Sequence, residues 1–164
     1  MEFPRWIRRL PFVTPARRLM WFPPFRAMGI KVERISDDWR QVRIKLPLNS
    51  FNQNPGGGMF GGSIASLADP IPALVCNKVF PGYQLWTRAL EINFVKEART
   101  DLELRFDLDP QSEAWIKQQL EQRNRATPSF EFGLYDANGQ QCVSVVNVVA
   151  IRPMGYRPTK GTEQ

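Results

Sequence analysis

One segment limits the fold of this chain more than any other. Ile64, Leu67, Ala68, Ile71, Leu74, Val75 and Val79 fall on one stripe at helical spacing, and no other helical segment is so strongly apolar. A single apolar helix has to be buried, and the rest of the sequence offers mainly strands to bury it. Residues 29–36, 39–47, 84–96, 102–108, 129–135 and 140–151 alternate apolar and polar side chains or read as extended segments. Asp37-Asp38 turns the first pair, and Asp136-Ala137-Asn138-Gly139 marks a hairpin between the last two. Strands on both sides of one helix predict an α+β fold, an antiparallel sheet wrapped around that helix.

The central helix should begin near Phe60, and Pro70 and Pro72 should break or kink it at Asp69. A short amphipathic helix, 112–124, follows a Ser112 cap. The 164 residues suit one domain with a sizeable core. The expected organisation is a basic aromatic arm (1–28, irregular apart from one short helix near 15–22), a domain over 29–152, and a tail over 153–164.

Composition removes several chemistries. The chain has no histidine, which excludes Ser-His-Asp and Cys-His catalysis and the commonest metal ligand. Cys76 and Cys142 fit no metal-ligand spacing and read as buried fillers, compatible with a reducing cytoplasm. Residues 1–50 carry 11 Lys/Arg against 4 Asp/Glu, a net +7, while the remainder is at −1. The excess sits in the arm, where Arg5, Arg8, Arg9, Arg17, Arg18 and Arg26 alternate with Trp6, Ile7, Leu10, Phe12, Trp21 and Phe22. Such an arm either rests on an anionic membrane surface or packs on the body through its aromatics, with solvated arginines. Pro11, Pro15, Pro23 and Pro24 preclude a long amphipathic helix and favour the second reading. No apolar run is long enough to span a bilayer. The body carries no nucleic-acid reading motif.

The chemistry-bearing stretch runs from Asn54 to Asp69. A glycine-rich loop leads into the apolar helix, and free backbone N–H groups at a helix start receive developing negative charge. A carboxylate that meets the same substrate supplies a base or a nucleophile. The layout points to hydrolysis of an activated carbonyl, a thioester first. Each residue also has a purely structural reading. Asp69 before Pro70 fits an N-cap and first-turn pair, Gly56, Gly57 and Gly58 a flexible loop, Gly61 and Gly62 close helix packing, and Asn54 a turn.

The element order, together with Asn54-x-x-Gly57-x-x-Phe60-Gly61-Gly62 ahead of a helix carrying Asp69, resembles the hotdog-fold acyl-CoA thioesterases of the PaaI-like branch over residues 29–152. The resemblance implies that Asn54, Gly61 and Asp69 act together, assisted by Thr87 at the start of the next strand. Phe60 and Gly62 would lie against the substrate. It also implies hydrolysis of an acyl thioester, acyl-CoA foremost, with no metal or redox cofactor. The assembly would be a homodimer with a shared active site, with pairing into a dimer of dimers left open. Phe60 stands where the family has His, the Pro70-x-Pro72 pair is unusual, and helix 112–124 is extra, as in a less-characterised subgroup. A non-catalytic hotdog module that binds acyl thioesters or lipid at a membrane surface is the rival reading.

Helix geometry supports the shared site. Gly62 and Asp69 share a face but stand about 10 Å apart along the axis at ~1.5 Å per residue, too far to meet one carbonyl. By strict alternation Thr87 lies opposite Leu90 and Ile92, so it reaches a site only if the strand twists or bulges.

Overall fold

The computed structural model describes residues 14–157. Six strands form one antiparallel sheet: β1 (Lys31–Ile35), β2 (Gln41–Leu46), β3 (Tyr83–Phe94), β4 (Leu102–Asp107), β5 (Ser129–Tyr135) and β6 (Gln141–Pro153). Their spatial order is β1-β2-β4-β5-β6-β3, which leaves β1 and β3 as edges. Val42, Ile44, Leu102, Leu104, Phe106, Leu134, Val143, Val145 and Val149 are buried on the face that wraps the central helix, and they share one core with Ile64, Leu67 and Ile71. This is the α+β hotdog architecture, an antiparallel sheet around one long helix.

The central helix is a bent rod. α3 (Gly61–Ala68) and α4 (Pro70–Val79) meet at Asp69, whose φ of −52° and ψ of −56° keep the backbone helical. Pro70 and Pro72 therefore kink the helix without ending it. They withhold the N–H groups that the carbonyls of Ser66 and Ala68 would otherwise receive.

Two expectations need correction. Residues 15–28 are not an irregular arm with one helix. They form α1 (Pro15–Met20) and α2 (Pro23–Met28), each opened by proline, and Gly29 ends α2 at φ +69°. Proline at a first helical position fixes φ and costs no hydrogen bond, so Pro23-Pro24 starts a helix here. Leu19, Phe25 and Met28 bury this part against the body, while Arg5, Trp6, Ile7, Arg8, Arg9, Leu10 and Phe12 lie outside the described residues. The extra helix, α5 (Pro110–Arg123), starts two residues early. Its cap is Asp109, not Ser112: Asp109 Oδ1 accepts the N–H groups of Gln111 (3.0 Å) and Ser112 (2.8 Å).

Both cysteines are buried and unpaired. Among the described residues no helix is long and apolar enough to cross a membrane, which says nothing of a β-barrel.

Candidate functional site

The loop before α3 is tightly tied. Asn54 donates its N–H to the Gly58 carbonyl (2.8 Å), and its Oδ1 accepts from the N–H groups of Gly56 (2.9 Å) and Gly58 (3.1 Å). Its Nδ2 donates to the Met59 carbonyl (3.3 Å). Gly57 makes the turn at φ +86°, a conformation that favours glycine. Met59 N–H reaches the Ala98 carbonyl (2.8 Å) and Phe60 N–H the Asn52 carbonyl (2.6 Å), so the start of α3 has a fixed place. Asn54 thus spends both ends of its amide on the turn. It holds the loop.

α3 begins without a side-chain cap. Ser63 and Ile64 N–H share the Phe60 carbonyl (3.0 and 3.3 Å), while the N–H groups of Gly61 and Gly62 have no acceptor among the described residues. Those two donors and the helix dipole form a half-buried electropositive spot. Phe60 and Phe94 flank it and are 52% and 56% exposed. A Cβ on Gly62 would collide with the Phe60 ring, and one on Gly61 would stand 3.0 Å from the tip of Phe94. Asn54, Gly61, Phe94 and Lys96 line a cleft of about 270 Å³ here. The Lys96 ammonium is itself engaged, by Asp136 (3.0 Å) and Gln140.

Asp69 lines a different cleft, of about 360 Å³, with Pro70, Leu74, Leu85, Trp86 and Thr87. Its carboxylate makes no hydrogen bond or ion pair among the described residues and caps nothing. The alternative in which Asp69 restarts the helix as an N-cap is therefore not what the chain does. Its carbonyl, by contrast, accepts two side-chain bonds, from Thr87 Oγ1 (2.9 Å) and Asn147 Nδ2 (2.9 Å).

Thr87 gets there through a bulge. Pairing steps from Thr87↔Val149 to Ala89↔Val148, leaving Arg88 as the extra residue. One inserted residue reverses the side-chain alternation, so Thr87 shares the inner face with Leu90 and Ile92, whereas strict alternation had set it opposite them.

Within one chain the sequence-derived residues therefore fall into two groups. Asn54, Phe60, Gly61 and Gly62 gather at the start of α3, and Asp69 and Thr87 gather at the kink. Among the described residues β3 hydrogen-bonds only to β6, which leaves one of its long sides unpaired.

A family model, described as a domain of unknown function (DUF4442), matches residues 16–151. The chain belongs to the DUF4442 family. No curated protein matches it. Solved structures with the same fold include a Pseudomonas aeruginosa protein described as of unknown function and a probable thioesterase. That protein is 21% identical, with a TM-score of 0.69 over 78% of this chain and 85% of its own. A Chlorobaculum tepidum protein of unknown function is 16% identical, with a TM-score of 0.68 over 81% and 88%. A Haemophilus influenzae thioesterase is 12% identical, with a TM-score of 0.65 over 87% and 91%.

Sequence reasoning missed one residue of this DUF4442 domain. Asn147 is completely buried in the middle of β6 and bonds the kink carbonyl. A readable signal existed, since one amide interrupts Val145-Val146 and Val148-Val149 on an otherwise apolar strand.

Proposed function

We propose that this DUF4442 protein hydrolyses acyl thioesters, acyl-CoA foremost, in the manner of the PaaI-like branch, at a site shared by two chains. One observation carries the reading: two unsatisfied N–H donors and one unpartnered carboxylate occupy separate clefts beside the same open edge strand. In a two-fold dimer, β3 pairs antiparallel with a second β3, which satisfies its unpaired side. An axis at Glu91 sets Thr87 of one chain opposite Phe94 of the other, because the Arg88 bulge adds a residue without adding a pairing step. The glycine cleft of each chain then meets the Asp69 cleft of its neighbour.

In that arrangement the thioester carbonyl oxygen receives Gly61 N–H, with Gly62 beside it, where negative charge develops in the transition state. Asp69 takes the proton of the attacking water, or attacks the carbonyl carbon itself, and the thiolate leaves as the C–S bond breaks; in the second case a water then cleaves the acyl-aspartyl anhydride and restores the carboxylate. Asn54 serves by fixing the loop, and Thr87 by fixing the kink. The apolar walls of the Asp69 cleft suit an acyl chain. Phe60, in place of a polar residue, lies over the glycines as a substrate-facing ring. The same ring favours the second reading, a non-catalytic module that binds acyl thioesters or lipid.

Thioester hydrolysis measured across acyl-CoA chain lengths separates the two readings. Asp69→Asn should lower turnover by at least ~100-fold, as for loss of a base or nucleophile. Its melting temperature should stay at the wild-type value, because the carboxylate bonds nothing in the fold. A wild type that binds acyl-CoA but never hydrolyses it supports the binding module. Full activity in Asp69→Asn removes Asp69 from the chemistry.

A further inference from the structure

We propose that Asn147 is a positioning residue of this site, holding the Asp69 carbonyl jointly with Thr87 so that the Asp69 carboxylate enters its cleft in one fixed direction. The proposal rests on the hydrolase reading above. Asn147 is wholly buried on the inner face of β6, opposite Leu90 on one side and Phe130 on the other. A carbonyl only accepts, so the amide nitrogen is the end that meets Asp69, at 2.9 Å. The other end, Oδ1, is buried with no partner among the described residues.

An amide in this place is a burden for stability. Its oxygen is unmet inside a core of valine, leucine and phenylalanine, where an apolar residue of the same size packs without that cost. Its single bond goes to the residue at the helix kink. Asp69 N–H keeps its helical bond to the Ala65 carbonyl (2.9 Å), but Pro70 and Pro72 remove the donors that the neighbouring carbonyls of Ser66 and Ala68 would receive, so the kink gains from outside donors. Thr87 and Asn147 come from β3 and β6, the two strands flanking the kink, and together fix that carbonyl from the sheet. With ψ of Asp69 held at the helical −56°, the Cα–Cβ bond has a set relation to the carbonyl, so the clamp sets where the side chain leaves the main chain and which way it starts. Misplacement by about 1 Å is enough to cost ~100-fold in rate.

Three measurements on the full-length protein test this. In the wild type, a through-bond coupling between the Asn147 side-chain nitrogen and the Asp69 carbonyl carbon should be seen by nuclear magnetic resonance. Its absence overturns the clamp whatever the enzyme does. Asn147→Leu should lower kcat by about 10- to 100-fold and leave KM within about twofold. A folded Asn147→Leu with wild-type kcat overturns the proposal. Asn147→Asp provides the case that survives if the leucine variant does not fold. Its carboxyl donates to the Asp69 carbonyl only while protonated, so activity should fall as pH rises through a titration that the wild type lacks. A pH profile identical to the wild type's overturns the positioning role. If the wild type shows the coupling but hydrolyses no thioester, the hydrolase reading fails while the clamp stands.

Discussion

α5 and the bent rod of α3 and α4 are built to opposite rules. α5 opens with an Asp109 cap and Pro110, and it closes on Asn124 at φ +52°. In its first turn Glu113 is held by Arg40 (2.6 and 2.8 Å) and by Lys117 (2.6 Å), an i,i+4 pair. α3 opens on two glycines with no cap and no acid in its first turn, and two prolines follow its only carboxylate. A missing cap costs about 1 kcal/mol. Burying Ile64, Leu67 and Ile71 contributes about 1.5–3 kcal/mol each, so packing decides that the rod forms. The same burial pushes the Cys76 thiol up to about 12. α5 satisfies its cap and its first-turn acid within the chain. The rod leaves two donors and a carboxylate unsatisfied, and such departures from local consistency concentrate at functional sites.

The sharpest way to break this contrast is to damage the two ends of the rod in different chains. Asp69→Asn removes the acid, and Gly61→Pro removes the donor. Phe60 already has the extended φ of −70° and ψ of 124° that a following proline requires, and Gly61 N–H has no bond to lose. Each variant alone should be nearly inactive. Mixed after subunit exchange, a hybrid dimer carries one doubly damaged site and one intact site, and activity should return toward half of wild type per dimer. Exchange demonstrated by mass spectrometry with activity still at baseline means that each site is built within one chain.

The contrast also explains what the sequence disclosed. Burial periodicity is a property of consecutive residues, so the central stripe, the strands and the Asp136–Gly139 hairpin were legible. Pro23-Pro24 do preclude a long helix, but the short helix they open was not legible, because proline's sign depends on whether it starts a helix or interrupts one. Ser112 reads as the cap of α5 because serine is a good cap just ahead of the apolar positions, whereas the helix is capped three residues earlier by Asp109. Asn54, Gly61 and Asp69 were visible as a motif. Their separation into two clefts was expected from helical rise alone, but the unpaired side of β3 that would reunite them depends on strand order. Thr87 and Asn147 were hardest. One depends on a bulge, which leaves no local pattern; the other shows as a lone amide among valines, but its role depends on contact with a residue 78 positions away.

A smaller effect should separate α5 from the site by pH. Hydrogen bonds from Arg40 first and Lys117 second hold the Glu113 carboxyl down to about 2, from an ordinary value of 4.5. A carboxyl with a lowered folded pKa stabilises the fold above its unfolded value, and that contribution is lost as pH falls through the folded one. Wild type should therefore melt above Glu113→Gln at every pH higher than 4.5, and the gap should close on approach to pH 2. Turnover at neutral pH should be the same in both. A gap that is constant down to pH 2 would mean that the ion pairs contribute nothing and that packing of the side chain accounts for the difference.

The smallest expected effect concerns the α5 cap, and it tests the corrected start of that helix. Asp109 Oδ1 satisfies two first-turn N–H groups, and its carboxyl pKa is lowered, by the nearby Ser112 hydroxyl most and by the Ser112 backbone N–H next. Asp109→Ala should cost about 1 kcal/mol in urea unfolding. Asp109→Asn keeps an acceptor at the cap and gives up only the charge near the helix start, so it should cost a few tenths of that. Ser112→Ala removes the neighbouring hydroxyl and leaves both backbone bonds to Asp109 in place, so it should cost less than Asp109→Ala. All three should leave turnover unchanged, since α5 touches neither cleft. A larger loss from Ser112→Ala than from Asp109→Ala would return the cap to Ser112 and move the helix start with it. Reduced turnover in any folded α5 variant would mean that this helix, for all its internal satisfaction, is coupled to the site.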